Sequence, residues 1–305
     1  MPQLPTFEPG RSIATIDRPP LRHRHGPWRR PPRPTFLVIG AQKAGTSWLH
    51  QMLARHPRIF VSERKELQHF TTPERFDEGL DTYLQHFTDA TWQHRAIGES
   101  TPNYLWTSPH RTEEWGGRGG SDPTFRAGIP QRVVDTLGTG LRLIVLLRDP
   151  VDRAISAFYH HLRAKGERLD PQLPFAENAR RYGIVTMGFY AAHLEHWLEH
   201  VPPERFLVLF QEELRAHPQA AIGAVHQHLG VRPDPPSDLA AEVHVGTKHG
   251  GDDGVWYWDE ERQHVAIGHD ERALLHEVYA PENDRLARLL GRPTPWSSDP
   301  LVGRR

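Results

Sequence analysis

The segment Gly40-Ala41-Gln42-Lys43-Ala44-Gly45-Thr46-Ser47 joins a continuous apolar run, FLVIG, to a helix-forming stretch. Its glycines permit a tight turn, and the free N–H groups at a helix start favour an anion there. The spacing follows the phosphate-loop pattern G-x-x-x-x-G-K-[ST] at every position but one. Thr46 stands where an ATPase carries its lysine, and the lysine comes three residues earlier, at Lys43. A magnesium-dependent NTPase also needs an apolar strand ending in aspartate, but here the run RLIVLL ends in Arg148, with Asp149 after it. An arginine at that point repels a metal ion and attracts phosphate. The residues describe a nucleotide-phosphate binder that works without magnesium.

Asp149 and Ser156 lie two helical turns apart, on one face beside Arg148, so a hydroxyl and a guanidinium can converge on one phosphate. Asp149 itself reads as the N-cap of that helix, with Pro150 at the first position, and Arg153 as a surface ion pair. Only four of the 37 basic residues are lysine (Lys43, Lys65, Lys165, Lys248). In a chain that otherwise uses arginine, a retained lysine marks a place where a compact point charge is needed. His196-Trp197-Leu198-Glu199-His200 matches the H-x-x-E-H pattern, and His193 extends the same helical face. Among 21 histidines such a match arises easily by chance, so the cluster is read as a solvated face and no metal is assigned.

The elements that must position these groups follow from the apolar pattern. Strands are predicted at Phe36–Gly40, Ile59–Val61, Ala96–Glu99, Arg142–Leu147 and Phe206–Phe210. Helices are predicted at Thr46–Arg55, Pro73–Phe87, Pro150–Lys165, Thr186–His200, Pro218–Leu229 and Glu271–Leu290. Residues Gly116–Gly128, with four glycines in the first five positions, read as a surface loop. Strands and helices in alternation, with continuous apolar strands, imply an α/β fold: one domain with a central parallel sheet flanked by helices, P-loop-like. Ligands of such folds sit beyond the carboxyl ends of the strands, where the Gly40 loop and Arg148 fall.

The 305 residues suffice for a sizeable core. Residues 1–34 hold nine Pro and seven Arg against only Glu8 and Asp17, which reads as a flexible or surface-hugging arm. The domain is then 35–296, with a tail at 297–305. Thirty-seven basic against 38 acidic residues argues against nucleic acid as a partner. No cysteine is present, which excludes disulfides, thiolate catalysis and cysteine-ligated zinc. No run approaches 18 apolar residues and no secretory leader is evident, so a cytoplasmic protein without an integral membrane segment is expected.

From Pro34 to about Trp296 the chain resembles PAPS-dependent sulfotransferases of the Golgi and bacterial type, similar to heparan sulfate sulfotransferases. GAQKAGTS carries the K-x-G-T core, LRDPVDRAISAF the R-D-P-x-x-R-x-x-S run, and RKELQHF and GESTPNYL resemble the family's K-E-x-H-F-F and G-E-K-T-P-x-Y segments. LFQEEL resembles its Y-E-D-L strand end, and NDRLARLLGRPTPW its closing helix. The resemblance implies 3′-phosphoadenosine 5′-phosphosulfate (PAPS) as co-substrate and no metal. It implies that Gln42, Lys43, Ala44, Gly45, Thr46, Ser47 and Trp48 bind the cofactor, with Lys43, Gly45, Thr46 and Ser47 cradling its 5′-phosphosulfate, and that Arg148 and Ser156 bind its 3′-phosphate. Lys248 and Gly250, in the Gly-rich run VGTKHGGDDGVWYW, match a late loop over that phosphate, with a plain surface loop the other reading.

By the same resemblance Glu66 is the general base and Lys43 stabilises the leaving phosphate, with His69 in reserve as base. Glu66 has a second reading as an exposed carboxylate of the charged run SERKE. Gln68, Thr101 and Tyr104 are implied in acceptor binding. Gln68 stands where the family often has histidine, and Ser100 where it has lysine. The implied activity is sulfuryl transfer to a hydroxyl or amine of a small-molecule, lipid or carbohydrate acceptor. A P-loop kinase and a non-catalytic nucleotide or carbohydrate binder are the competing readings. The kinase lacks a lysine at 46 and a strand-end aspartate, and a pure binder has no use for Glu66.

Overall fold

Continuous apolar runs become five strands: β1 (Phe36–Gly40), β2 (Ile59–Val61), β3 (Ala96–Ser100), β4 (Arg142–Leu147) and β5 (Phe206–Phe210). Every residue of β1, β3, β4 and β5 is buried, as expected of a parallel sheet covered on both faces. The strands pair in the order β2-β3-β1-β4-β5, all parallel. The computed structural model describes residues 3–10, 31–116, 122–163, 169–170, 172–237, 239 and 267–296.

Helices Thr46–Ala54, Pro150–Leu162, Tyr190–Leu198, Pro218–His228 and His269–Leu290 form close to where apolar periodicity predicts them. Two predicted helices are broken. Pro73–Phe87 divides into Pro73–Asp77, Gly79–Leu84 and a 3-10 turn at Gln85–Phe87. Gly79, at φ 83, supplies the left-handed step that a non-glycine residue would resist. Thr186–His200 begins as a 3-10 turn, Thr186–Gly188, and Phe189 leaves helical backbone (ψ 62) before the helix proper. Within the span read as a surface loop, Pro123–Ala127 is helical. Asp122 caps it by accepting from Thr124 N–H (2.6 Å) and Phe125 N–H (3.0 Å).

The expectation that residues 1–34 stay outside the core does not hold for 3–10. Phe7 N–H donates to Val208 O (2.9 Å) and Val208 N–H to Pro5 O (3.0 Å), so this segment covers the free edge of β5. Leu4 and Phe7 are each only 2% exposed. Two apolar side chains and an unpaired strand edge suffice to dock a stretch that composition marks as unstructured.

Several histidines are locked inside as neutral rings. His193 accepts from Ser108 N–H at Nδ1 (3.0 Å) and bonds Thr186 O through Nε2 (2.9 Å), and burial pushes it down to about 3. Burial likewise holds His50 and His226 at about 4. The unfolded chain protonates all three near pH 6.5, whereas the fold takes up those protons only near pH 3–4. Their contribution to stability is therefore fully present above pH 6.5 and declines as pH falls below it, by about 1.4 kcal/mol per pH unit for each ring. Glu99 acts in the opposite sense: burial raises it from 4.5 to about 7, so it offsets one of the three between pH 7 and 4.5. The urea midpoint should drop clearly between pH 7.5 and pH 5, and equal midpoints at the two pH values would contradict the assignment of neutral buried imidazoles.

Candidate active site

The sheet order places the carboxyl ends of β3, β1 and β4 side by side, and the loops that follow them carry the groups of interest. After β1 the chain turns through Lys43 (φ 69) and Gly45 (φ 103). Gly45 is the N-cap of helix Thr46–Ala54 and offers no side chain to its first N–H groups, which leaves them available to an anion. Gln211, at the end of β5, donates from Nε2 to Ala44 O (2.9 Å), and Arg148 donates from Nη1 to Lys43 O (3.3 Å). The loop is thus held from two neighbouring strands. Burial lowers the Lys43 ammonium below its ordinary range, and the nearby Arg163 and Arg148 add to this while Glu66 opposes it. Desolvated cations gathered in this way favour an anion between them.

β4 delivers Arg148, whose side chain is largely enclosed and whose guanidinium burial also depresses. Its backbone carbonyl accepts from Tyr190 Oη (2.9 Å). Asp149 caps helix Pro150–Leu162 by accepting from Val151 N–H (2.8 Å) and Asp152 N–H (3.2 Å), as its position in sequence predicts. Ser156 follows on the same helix, half-buried. Arg153 is not a surface ion pair. It is fully buried and donates to Ile184 O, because its face of the helix packs inward against the 184–189 segment and the closing helix.

Glu66 lies on the other side of the loop. Its N–H bonds Ser100 O at the end of β3 (3.0 Å), its backbone is left-handed (φ 62), and Lys65 Nζ meets its carboxylate at 2.5 Å. The carboxylate opens into a cavity of about 650 Å³ lined by Gln42, Gln68, Thr71, Thr72, Arg75, Asn103, Trp106, His160, His161, Tyr182 and Met187. Gln68 is also left-handed (φ 61), and its amide oxygen accepts from Asn103 Nδ2 (3.3 Å) and Thr71 Oγ1 (3.0 Å). The buried Oε1 of Gln42 has no hydrogen-bond partner among the described residues, and it suits a hydroxyl or amine donor.

The places expected for His69, Thr101 and Tyr104 need correcting. His69 is absent from the cavity that Glu66 lines. Its ring stacks on Tyr83 (4.5 Å, 13°) with Nδ1 on Arg75 O (3.1 Å), in an aromatic cluster that withdraws it from acceptor chemistry. Thr101 and Tyr104 are fully buried and serve Glu99: Thr101 Oγ1 donates to Glu99 Oε2 (2.6 Å) and Tyr104 Oη to Glu99 Oε1 (2.7 Å). Their neighbours Asn103 and Trp106 take the cavity positions instead. The Trp48 indole packs into the main core, while its backbone N–H stays in the first turn of helix Thr46–Ala54, where it is open to an anion. Lys248 and Gly250 lie outside the described residues. Sequence reasoning misses His160, His161 and Tyr182 because they come from segments with no motif; the paired histidines at the end of a helix that starts just after Arg148 are the one available signal.

The "Sulfotransferase domain" family matches residues 33–244. The chain belongs to that family. It is 30% identical to human heparan sulfate glucosamine 3-O-sulfotransferase 6 over 237 residues, covering 74% of this chain and 60% of the relative. It is 24% identical over 301 residues to human bifunctional heparan sulfate N-deacetylase/N-sulfotransferase 2, covering 88% of this chain and 31% of that protein. The chain thus spans about a third of the length of the bifunctional relatives it matches. A sulfotransferase from Alicyclobacillus acidocaldarius superposes with a TM-score of 0.64 at 26% identity, covering 86% of this chain and 98% of the other. Among the described residues, no helix is long and apolar enough to cross a membrane.

Proposed function

We propose that residues 35–296 transfer the sulfuryl group of PAPS to a hydroxyl or amine of an acceptor held in the 650 Å³ cavity. The observation that carries this reading is the placing of Lys43 and Arg148 on one side of a phosphate loop and Glu66 on the other, at the adjacent ends of β3, β1 and β4. PAPS supplies an activated sulfuryl group whose leaving group is a phosphate. The 40–47 loop and the first N–H groups of helix Thr46–Ala54 hold its 5′ end, and Arg148 with Ser156 its 3′-phosphate.

Glu66 takes the proton from the acceptor oxygen or nitrogen as the new bond to sulfur forms. Lys43 meets the negative charge that develops on the departing phosphate oxygen. Each proton and charge then has a named recipient in the chain, without a metal. The curated relatives are named for heparan sulfate, and the amides, hydroxyls and Trp106 around this cavity suit a hydroxyl-rich acceptor. A mass-spectrometric screen of acceptors with PAPS, reading the gain of one sulfo group, tests the activity.

The 3′-phosphate assignment has its own test. Calorimetry in the absence of magnesium should find 3′-phosphoadenosine 5′-phosphate (PAP) bound more tightly than AMP. Arg148→Ala should weaken PAP by about 10- to 150-fold, the loss of one charge-assisted pair of about 1.5–3 kcal/mol. Equal affinities for PAP and AMP in the unaltered protein would remove Arg148 and Ser156 from this role.

A further inference from the structure

The H-x-x-E-H cluster left over from the sequence has a definite geometry. His196, Glu199 and His200 each present a ligand atom, and the three atoms all lie within 4.8 Å of one another. They sit at i, i+3 and i+4 across the carboxyl end of helix Tyr190–Leu198, the spacing that puts side chains on one face. The imidazoles face each other edge-on with centroids 5.8 Å apart.

Two further observations separate this cluster from a chance gathering of polar groups. His200 Nδ1 is engaged with Gln131 Oε1 (3.1 Å), so its Nε2 is left as the coordinating nitrogen. A fixed outer nitrogen of this kind is the usual support of a metal-bound histidine. His196 Nδ1 is buried and has no hydrogen-bond partner among the described residues, an arrangement that costs energy unless a ligand completes it.

We propose that His196, Glu199 and His200 form a zinc-binding site. Two imidazoles and one carboxylate suit a borderline ion such as Zn²⁺ and are a poor set for Mg²⁺ or Ca²⁺. Donors around a tetrahedral zinc stand about 3.4 Å apart, against separations of no more than 4.8 Å among these three atoms. The site is remote from sulfuryl transfer. The helix begins at Tyr190, whose hydroxyl touches Arg148 O, and runs about 13 Å away from it toward the start of β5. Bound zinc would fasten the end of this helix beside Gln131 of helix Ile129–Leu137, and so acts on stability.

The test is Zn²⁺ titration of the metal-stripped full chain by calorimetry, with His196→Gln/His200→Gln titrated in parallel. The unaltered chain should take up one Zn²⁺ more than the double variant, and zinc should raise its melting temperature by more. Glu199→Gln, at an exposed position, should bind that ion at least tenfold more weakly while PAP binding stays intact, and it decides the matter if the double variant fails to fold. Identical isotherms for the unaltered chain and Glu199→Gln would overturn the site. So would displacement of the extra zinc by millimolar Mg²⁺.

Discussion

Glu66→Gln should leave PAP affinity unchanged and slow the chemical step by about 10²–10⁴-fold, the usual span for a general base. The amide keeps the shape of the side chain and removes its basicity. Its backbone is tied to Ser100 O and its carboxylate opens into the 650 Å³ cavity, so the substitution reports on proton transfer more than on structure. Single-turnover rates with PAPS and an acceptor found by the mass-spectrometric screen would measure it. A rate within about twofold of the unaltered protein would remove Glu66 from the base role. His69 offers no replacement from its place against Tyr83, and His69→Gln should leave the acidic limb of the pH–rate profile in place.

The second large effect belongs to Lys43. Lys43→Ala should lower turnover by about 10²–10³-fold, comparable with removing one donor from a preorganised charge-stabilising site. Lys43→Arg should fail to restore it. The ammonium lies in a left-handed turn, already desolvated and close to two guanidinium groups, and a planar fork needs different geometry from a point charge. Turnover by Lys43→Arg near that of the unaltered protein would contradict both the geometry and the argument from lysine scarcity. PAP calorimetry on each variant separates lost chemistry from lost binding.

The strands are legible in the sequence because a parallel sheet buries both faces and leaves unbroken runs such as FLVIG, RLIVLL and FLVLF. Arg148, Asp149 and the loop glycines are legible because strand-end position and capping are local facts. The helix at Pro123–Ala127 is equally local: Asp122 followed by Pro123 is an N-cap signal, masked by the glycines before it. Beyond Gln42, Glu66 and Gln68, the residues around the cavity are not legible in the same way. Trp106, His161 and Tyr182 meet through tertiary packing, from three stretches that share no period. Thr101 and Tyr104 carry the right motif, but the buried Glu99 claims their hydroxyls, a contact that no spacing rule anticipates.

Lys43, Glu66 and Gln68 share a left-handed backbone although none is glycine. Each such residue costs of order 1 kcal/mol or more relative to an ordinary conformation. Glycine would relax all three turns, yet it would delete the cation, the carboxylate and the amide on which the proposed chemistry rests. Directed evolution for heat resistance alone would accordingly drift toward glycine here and yield a sturdier, inert protein. Thermostable descendants worth keeping would come from screens that demand turnover at the same time, with their gains lying elsewhere in the chain.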